Sequence, residues 1–141
     1  GRVAQLPQPR PKKAIPQRHT RVAVIEHAGH VLMQRRPPAG IWGGLLALPE
    51  LPDETSADDW LQQHFGITAS RSEALATVRH VFTHFRLDIE PLHIVVDAAP
   101  LKVGEPEMEW LALDALDAAG LPAPVRRILD ALSAPDRLNP P

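Results

Sequence analysis

The sequence predicts an α+β fold in a single domain, with a mixed β-sheet packed between helices. Three observations lead to this prediction: paired runs of β-branched and apolar residues, one central amphipathic helix, and a second helix near the C-terminal end. Strands come first, a helix separates them from further strands, and a helix follows, which is an order typical of a mixed sandwich. The 141 residues suffice for one domain with a hydrophobic core.

The composition excludes several classes of protein. It is 44% hydrophobic and 23% charged, as is ordinary for a soluble globular protein. The absence of cysteine excludes a disulfide scaffold, a thiolate metal site and a cysteine nucleophile, and it is compatible with a reducing cytoplasm. No apolar run approaches the roughly 18 residues that span a bilayer, and no signal-peptide pattern opens the chain. We therefore expect no membrane partner.

The charge is unevenly distributed along the chain. Residues 1–40 hold eight Lys/Arg against one Glu (8 − 1 = +7), and the other 101 residues hold seven Lys/Arg against sixteen Asp/Glu (7 − 16 = −9). A basic front can face nucleic acid phosphates, or it can be a solvated linker. Residues 1–18 contain four prolines and little apolar periodicity. We assign residues 1–18 to a proline-rich basic interdomain linker, 19–133 to the folded domain and 134–141 to a disordered tail. The alternative for residues 1–18 is a disordered tail on a free-standing domain.

The strands are predicted in two pairs. Residues 20–26 and 31–34 flank a glycine-containing turn and predict a hairpin. Residues 74–81 and 85–96 form the second pair, and apolar and charged residues alternate at 85–90 as in a half-buried strand. Pro91 interrupts this alternation and suggests a bulge or an edge position. A further short strand is expected at 109–111.

The central helix has signals at both ends. Ser56 is expected as the N-cap with Asp59 at N3, and Gly66 stands where a C′ glycine ends a helix. Its apolar stripe is formed by Trp60, Leu61 and Phe65. Residues 114–119 predict a short helix, and residues 124–132 a terminal helix with proline at N1. The residues of that last helix expected to face the core are Val125, Ile128, Leu129 and Leu132.

The spacing of Gly44, Glu50 and the pair Gly66-Ile67 resembles a Nudix box, which implies a Nudix-like mixed sheet sandwiched by helices. That box carries glutamates on one helix face because Mg²⁺ takes oxygen ligands and neutralises a diphosphate. Here Asp59-Trp60 fall on its Arg-Glu pair and Gln63-His64 on its glutamate pair, with one extra residue in the spacer. We therefore expect the fold without the metal site and without hydrolase activity.

Four further stretches resemble the C-terminal domain of the adenine DNA glycosylase (MutY) family. They are PKKAIPQR at 11–18, RRPPAGIWGGLLALPE at 35–50, HVFTHFRLDI at 80–89 and GLPAPVRRIL at 120–129. The resemblance implies that residues 19–133 are a non-catalytic Nudix-like domain, which reads 8-oxoguanine opposite adenine. It also implies a parent enzyme whose upstream helical domain holds a 4Fe–4S cluster, flips adenine out of double-stranded DNA and cleaves its glycosidic bond. This chain itself is expected to hold no cofactor.

The resemblance also implies partners and a location. The linker joins the catalytic domain of the same protein and contacts repair-clamp proteins, and the protein is expected in the bacterial cytoplasm, associated with the nucleoid. The family's Phe-Ser-His recognition loop falls on Phe82, Thr83 and His84, with threonine in place of serine. That substitution keeps the hydroxyl but adds a methyl group and a stiffer χ1.

The chemistry of the lesion suits a hydroxyl group. Oxidation at C8 turns the acceptor N7 of guanine into an N–H donor and adds a carbonyl, and the hydroxyl of Thr83 can donate or accept. Phe82 can wedge beside a base, and His84 can meet a phosphate or fix the turn. The alternative is an ordinary hairpin turn with Phe82 in the core.

Other DNA contacts and other functions remain open from the sequence. The further candidate DNA contacts are Arg35, Arg36, Trp42, Lys12 and Lys13. The arginines can instead be solvated, Trp42 can instead pack over the sheet, and the lysines can serve the linker. The alternative functions are a Nudix pyrophosphohydrolase acting on oxidised nucleotides such as 8-oxo-dGTP, and a protein-interaction module that uses residues 1–18. No histidine cluster has a spacing suited to metal binding, so no metal site is predicted.

Overall fold

The computed structural model describes residues 15–97 and 108–133 and shows a seven-stranded mixed sheet with helices on both faces. The strands are β1 (Gln17–His27), β2 (His30–Arg35), β3 (Leu46–Ala47), β4 (Ala69–Ala74), β5 (Val78–Val81), β6 (Arg86–Val96) and β7 (Met108–Ala112). The helices are α1 (Ala57–Phe65), a 3₁₀ segment (Leu113–Ala118) and α2 (Ala123–Ser133). The predicted α+β class is confirmed.

The centre of the sheet is a long parallel pair, β1 with β6. Ten residue pairs run in register from Gln17 with Arg86 to Glu26 with Val95. Strand β2 continues the sheet on the other side of β1, through the expected hairpin, and β7 and β3 pair with β2. Strands β4 and β5 both pair antiparallel with β6 on its outer side. Most of these pairings join distant parts of the sequence.

The predicted pairing of 74–81 with 85–96 is present at Val78–Val81. The prediction of one continuous strand at 74–81 is wrong, because the chain leaves the sheet at residues 75–77 between β4 and β5. This break explains Pro91. Strand β5 pairs with β6 as far as Ile89, and β4 pairs with it from Leu92 onward. Pro91 is buried between these two partners, and its carbonyl accepts from the backbone of Leu75 at 3.0 Å. The missing N–H of proline therefore faces the break between two partner strands. Pro91 was expected at a bulge or an edge position, and the edge alternative is wrong because β6 has partner strands on both sides.

The segment 46–51 makes backbone hydrogen bonds with both β2 and β1. Its first two residues form β3 and pair with β2, whereas Leu51 donates a backbone hydrogen bond to Arg21 at 2.8 Å. Ala23 donates to the carbonyl of Pro49 at 2.9 Å. Backbone groups on both sides of this apolar segment are thus satisfied within the sheet, as burial requires. The preceding loop at 36–45 is thereby fixed over one face of the sheet.

Each face of the sheet is covered by one helix. Helix α1 has the predicted ends: Ser56 accepts from the backbone N–H of Asp59 at 3.1 Å, and Gly66 has φ +69°. Its Trp60 and Leu61 are buried with Ile25 and Ile94 of the sheet. The residues of α2 buried on the opposite face are Val125, Ile128 and Leu129, as predicted, and Leu132 is half-buried.

Several element boundaries differ from the predictions. Strand β1 begins at Gln17 and therefore includes Arg18, which the sequence analysis placed in the linker. The 3₁₀ segment replaces the short helix expected at 114–119, and β7 extends the expected strand by one residue at each end. Residues 1–14 of the predicted linker, with Lys12 and Lys13, and the tail at 134–141 lie outside the described residues.

Candidate nucleic-acid interface

The 82–85 turn, which connects β5 to β6, carries the predicted recognition residues. It is closed by a backbone hydrogen bond from Phe82 N to Phe85 O at 2.7 Å, next to the last strand pair, Val81 with Arg86. Thr83 and His84 form its two-residue tip, and both are exposed. Within residues 15–97 and 108–133 neither tip side chain has a hydrogen-bond partner. The tip therefore presents a hydroxyl and an imidazole to an external ligand.

Below the tip lies an aromatic cluster formed by Trp42, His80, Phe82 and Phe85. Phe82 is at its centre: its ring centroid lies 4.4 Å from that of Phe85, 4.7 Å from His80 and 5.9 Å from Trp42. The Phe82 and Phe85 planes differ by 20°, and His80 meets Phe82 edge-on at 80°. Offset and edge-on ring pairs of this kind stabilise a cluster beyond the area they bury. The turn is therefore supported by a packed base.

Phe82 is half-buried in this cluster, which matches the core alternative more closely than a projecting wedge. Trp42 packs against the same core from the 36–45 loop, as the alternative to base stacking predicted. The structure thus brings Trp42 and the 82–85 turn together. Whether either ring contacts a base stays a prediction.

Trp42 is held by a tightly folded loop. Its own φ of +53° is unusual for a residue with a side chain. The next residue, Gly43, lies so close to Pro38 that a Cβ atom would be 2.2 Å from its carbonyl oxygen. Gly44 has φ +77° and donates to the carbonyl of Pro37 at 3.1 Å. The two glycines are therefore needed for close approach and for a left-handed backbone, respectively.

Arg35 and Arg36 hold this loop in place. Arg35 Nη1 donates to Gly44 O at 2.9 Å, and Arg36 Nε donates to Ile41 O at 3.4 Å. Arg36 Nη1 also lies 3.6 Å from the carboxylate of Glu50. Both guanidinium groups thus use part of their donor capacity inside the protein, an arrangement that neither the solvated nor the DNA-contact interpretation anticipated. Contact with DNA remains a prediction for them.

The residues at the Nudix-box positions lie in surroundings that differ from a metal site. Glu50 faces Arg36, and Trp60 is only 5% exposed in the core under α1. Gln63 and His64 are exposed on the same helix, and the His64 ring stacks on Trp60 with centroids 4.6 Å apart. Among residues 15–97 and 108–133, no three His, Asp or Glu side chains come together in a way that suits a metal ion.

The base of the turn is fixed by a polar network across three strands. Arg79 Nε donates to Asp88 Oδ1 at 2.8 Å, and this hydrogen bond holds the pKa of Asp88 below its ordinary value. Gln17 Nε2 donates to the other carboxylate oxygen at 2.6 Å, and Gln17 Oε1 accepts from Arg86 Nη2 at 2.8 Å. The first strand of the fold is therefore tied to the strand that leaves the turn.

On the other face of the sheet, Arg18 contacts the aromatic cluster. Its Cζ atom lies 4.4 Å from the centroid of Phe85, a cation–π contact. Arg18, His80 and Phe85 were not among the site residues predicted from the sequence. The parallel pairing that brings Arg18 beside Leu87 is non-local and has no sequence signal, whereas the aromatic spacing at 80, 82 and 85 was visible.

The fold and the altered Gly–Glu–helix motif together define a protein of the Nudix fold class. The family model for the NUDIX domain matches residues 21–131, and the chain belongs to that family. In the described part of the chain, no helix combines the length and apolar character needed to cross a membrane.

The chain is similar in sequence to proteins named adenine DNA glycosylase. The chain is 28% identical over 120 residues to an adenine DNA glycosylase of Buchnera aphidicola subsp. Acyrthosiphon pisum, which covers 84% of this chain and 34% of that protein. It is 24% identical over 139 residues to the adenine DNA glycosylase of Mus musculus, which covers 89% of this chain and 27% of that protein. The chain thus spans about a third of the length of these relatives.

The structure of the C-terminal domain of mouse MUTYH in complex with human PCNA is similar in fold, with a TM-score of 0.65 and 22% identity. The match covers 81% of this chain and 86% of that one. The resemblance predicted from the sequence, to the C-terminal Nudix-like domain of adenine DNA glycosylases, is confirmed by these similarities.

Proposed function

We propose that this chain is the non-catalytic, lesion-reading domain of an adenine DNA glycosylase acting in base excision repair. The observation that carries the proposal is the exposed Thr83–His84 tip on a packed aromatic base. A site that discriminates between bases must hold its polar groups in place, because a loose hydroxyl would adapt to guanine and 8-oxoguanine alike. The similarity to adenine DNA glycosylases supports the choice of ligand.

The Thr83 hydroxyl supplies the selectivity in this proposal. It accepts from N7–H of 8-oxoguanine or donates to the C8 carbonyl, and both groups are absent from guanine. Normal guanine presents an acceptor at N7 and has no C8 carbonyl, so a hydroxyl that accepts at N7 or donates at C8 loses its hydrogen bond there. Losing one such contact costs about 1–3 kcal/mol, which corresponds to roughly 10- to 100-fold discrimination. In this proposal Phe82 positions the tip, and His84 contacts a neighbouring phosphate.

The test compares two Thr83 variants on two duplexes, one with 8-oxoguanine opposite adenine and one with guanine opposite adenine. Thr83→Val removes the hydroxyl and keeps the shape, whereas Thr83→Ser keeps the hydroxyl. Fluorescence anisotropy should show that Thr83→Val lowers the affinity ratio about tenfold or more and that Thr83→Ser preserves most of it. Equal ratios in wild type and Thr83→Val would move recognition to another residue.

We also propose that the domain itself hydrolyses no nucleotide. Glu50 is engaged by Arg36, and a buried tryptophan stands at a glutamate position of the box. A diphosphate with Mg²⁺ requires several carboxylate oxygens on the helix face, and Gln63 and His64 supply none. Phosphate or pyrophosphate release should therefore be absent when the chain is incubated with 8-oxo-dGTP and Mg²⁺. Metal-dependent turnover that Glu50→Gln abolishes would instead establish a pyrophosphohydrolase.

The remaining parts of the proposal concern the parent protein. It would act in the bacterial cytoplasm on 8-oxoguanine:adenine mispairs in double-stranded DNA, through an upstream catalytic domain with a 4Fe–4S cluster. A sliding clamp is proposed as the partner of the linker, and a fold relative is known in complex with PCNA. Because β1 includes residues 17 and 18, the linker test should delete only residues 1–14. That deletion should abolish clamp binding in a pull-down and leave the thermal unfolding midpoint unchanged; retained binding would place the clamp contact elsewhere.

A further inference from the structure

Four arginines, each from a different strand or helix, gather around the base of the 82–85 turn. They are Arg18 of β1, Arg79 of β5, Arg86 of β6 and Arg127 of α2. The chain beyond residue 40 has only seven Lys/Arg against sixteen Asp/Glu, and three of those seven belong to this group. In the part of the chain that the structure describes, Asp88 is the one carboxylate that forms an ion pair with any of the four, and Glu26 and Glu73 line a groove with Arg127 without pairing with it.

The four side chains lie on both faces of the sheet. Arg18 stacks on Phe85, and Phe85 packs against the core under α2. Arg127 projects from α2 on that same side and donates through Nη2 to the carbonyl of Arg79 at 3.3 Å. The side chains of Arg79 and Arg86 project from the opposite face, since successive strand residues alternate in direction and Phe85 and Leu87 face α2.

Three of the four arginines keep donors available to an external anion. Arg18 has no hydrogen-bond partner within residues 15–97 and 108–133, and its cation–π contact leaves the N–H groups at its edge unused. Arg79 forms an ion pair with Asp88, yet its side chain is 56% exposed. Arg127 is exposed and uses one donor. Arg86 differs, because its Nε is buried and its Nη2 binds Gln17.

We propose that Arg18 and Arg127 on one face, and Arg79 on the other, bind the two phosphate backbones that border the groove entered by the Thr83–His84 tip. This inference rests on the proposed function and adds the groups that supply affinity. A B-DNA major groove is about 12 Å wide and admits a two-stranded β-ribbon, so the backbones on its two sides face the two faces of a hairpin. Phosphate contacts of this kind set the register of the tip and carry no sequence information.

The inference also reassigns the DNA contacts. Arg35 and Arg36 are bonded to loop carbonyls, whereas Arg18, Arg79 and Arg127 surround the tip. Asp88 and Gln17 act as positioning residues, since they hold Arg79 and Arg86 at fixed places on the face of the sheet opposite α2. The Phe85 ring beneath Arg18 holds that guanidinium group in place in the same way. Guanidinium groups fixed in advance lose less side-chain entropy when they bind a phosphate.

The test measures how affinity depends on salt for the full 141-residue chain with Arg18→Gln, Arg79→Gln and Arg127→Gln. Each lost phosphate contact should lower the slope of log K against log salt by about 0.9 between roughly 50 and 200 mM salt. Affinity should fall by the same factor on the 8-oxoguanine and guanine duplexes, so their ratio stays unchanged. Arg18→Lys keeps the charge and should keep the slope.

Arg71→Gln is the matched control, because Arg71 is an exposed arginine of β4 that pairs with Val95, at the end of β6 remote from the turn, and it lines the far part of the groove that Arg127 also lines. Unchanged slopes in all three test variants, or an equal drop in Arg71→Gln, would overturn the inference. Absence of wild-type binding at low salt would overturn it as well. Failure of the proposed function looks different: slopes would fall as expected, while wild type would bind the lesion and guanine duplexes equally.

Discussion

Phe82 and Phe85 lie stacked at the two ends of the exposed tip, with ring centroids 4.4 Å apart and planes 20° apart. The two residues are also joined by the backbone hydrogen bond that closes the turn. Stacking and backbone closure therefore act on the same four residues. Because Phe85 is additionally covered by Arg18, the ring pair connects the tip to the first strand of the fold.

Phe85→Ala should destabilise the domain by about 2 kcal/mol, roughly half the cost of truncating a fully buried phenylalanine, since Phe85 is half-buried. The loss includes its contacts with Phe82 and Arg18. Urea unfolding followed by circular dichroism measures the change. Val81→Ala, at a neighbouring residue that is 60% exposed, should stay within about 0.5 kcal/mol. Similar costs for the two variants would remove the ring pair as a support of the turn.

Gly43→Ala should destabilise the 36–45 loop, because the new methyl group would meet the Pro38 carbonyl oxygen at 2.2 Å. Backbone must move to relieve that contact, and overpacking of this kind costs about 1–3 kcal/mol. The suitable comparison is Gly120→Ala, whose Cβ would meet only a Leu45 side-chain carbon at an ordinary 3.7 Å. Thermal unfolding of both variants checks this. If the two midpoints coincide, the loop is looser than its geometry implies.

Trp60→Ala should cost about 3–5 kcal/mol, the range for a large buried aromatic residue. Trp60 is 5% exposed and packs with Phe65 and His64 in the layer under α1. Gln63→Ala changes another position of the box on the exposed side of the helix and should be nearly neutral. Denaturant midpoints separate the two cases. A small effect at Trp60 would show that this residue is not part of the core.

Asp88 makes stability depend on pH in a defined direction. Hydrogen bonding by Arg79 lowers the pKa of Asp88 in the folded state below its value in the unfolded chain. Its contribution is therefore present above the unfolded pKa and is lost as pH falls through the folded pKa. Wild type should exceed Asp88→Asn in stability at neutral pH, and the gap should close in acid. Glu54→Gln serves as the control at an exposed carboxylate; a constant gap at Asp88 would exclude the linkage.

Local features were predictable from the sequence because their signals are local. Ser56 and Gly66 define the ends of α1 through side-chain capping and a left-handed backbone, and the structure has both. The alternation at 85–90 correctly predicted which residues of β6 face the core. The tip of the turn was likewise found at Thr83 and His84, although only the family resemblance distinguished it from any other hairpin turn.

Features that depend on distant pairing were not predictable. The position of Pro91 made sense only once β4 and β5 were seen to divide one side of β6 between them. Arg18 was assigned to the linker because the residues around it give no sign of its strand partner, Leu87, far along the chain. The preceding residue, Gln17, likewise bonds Arg86 across 69 residues. Arginine side chains are long enough to reach several partners, so their contacts follow from tertiary structure alone.

The parallel pairing of β1 with β6 has a consequence for how this chain acquires its structure. Its central strands are separated by the whole of β2–β5, so the core cannot close until residue 96 has been synthesised. Contacts of such long sequence separation form slowly, and they leave apolar strands exposed in the meantime. During translation, the hydrophobic faces of residues 22–25 and 31–33 therefore stay exposed until residue 96 has been synthesised. Substitutions there are expected to reduce soluble yield before they affect any property of the folded domain.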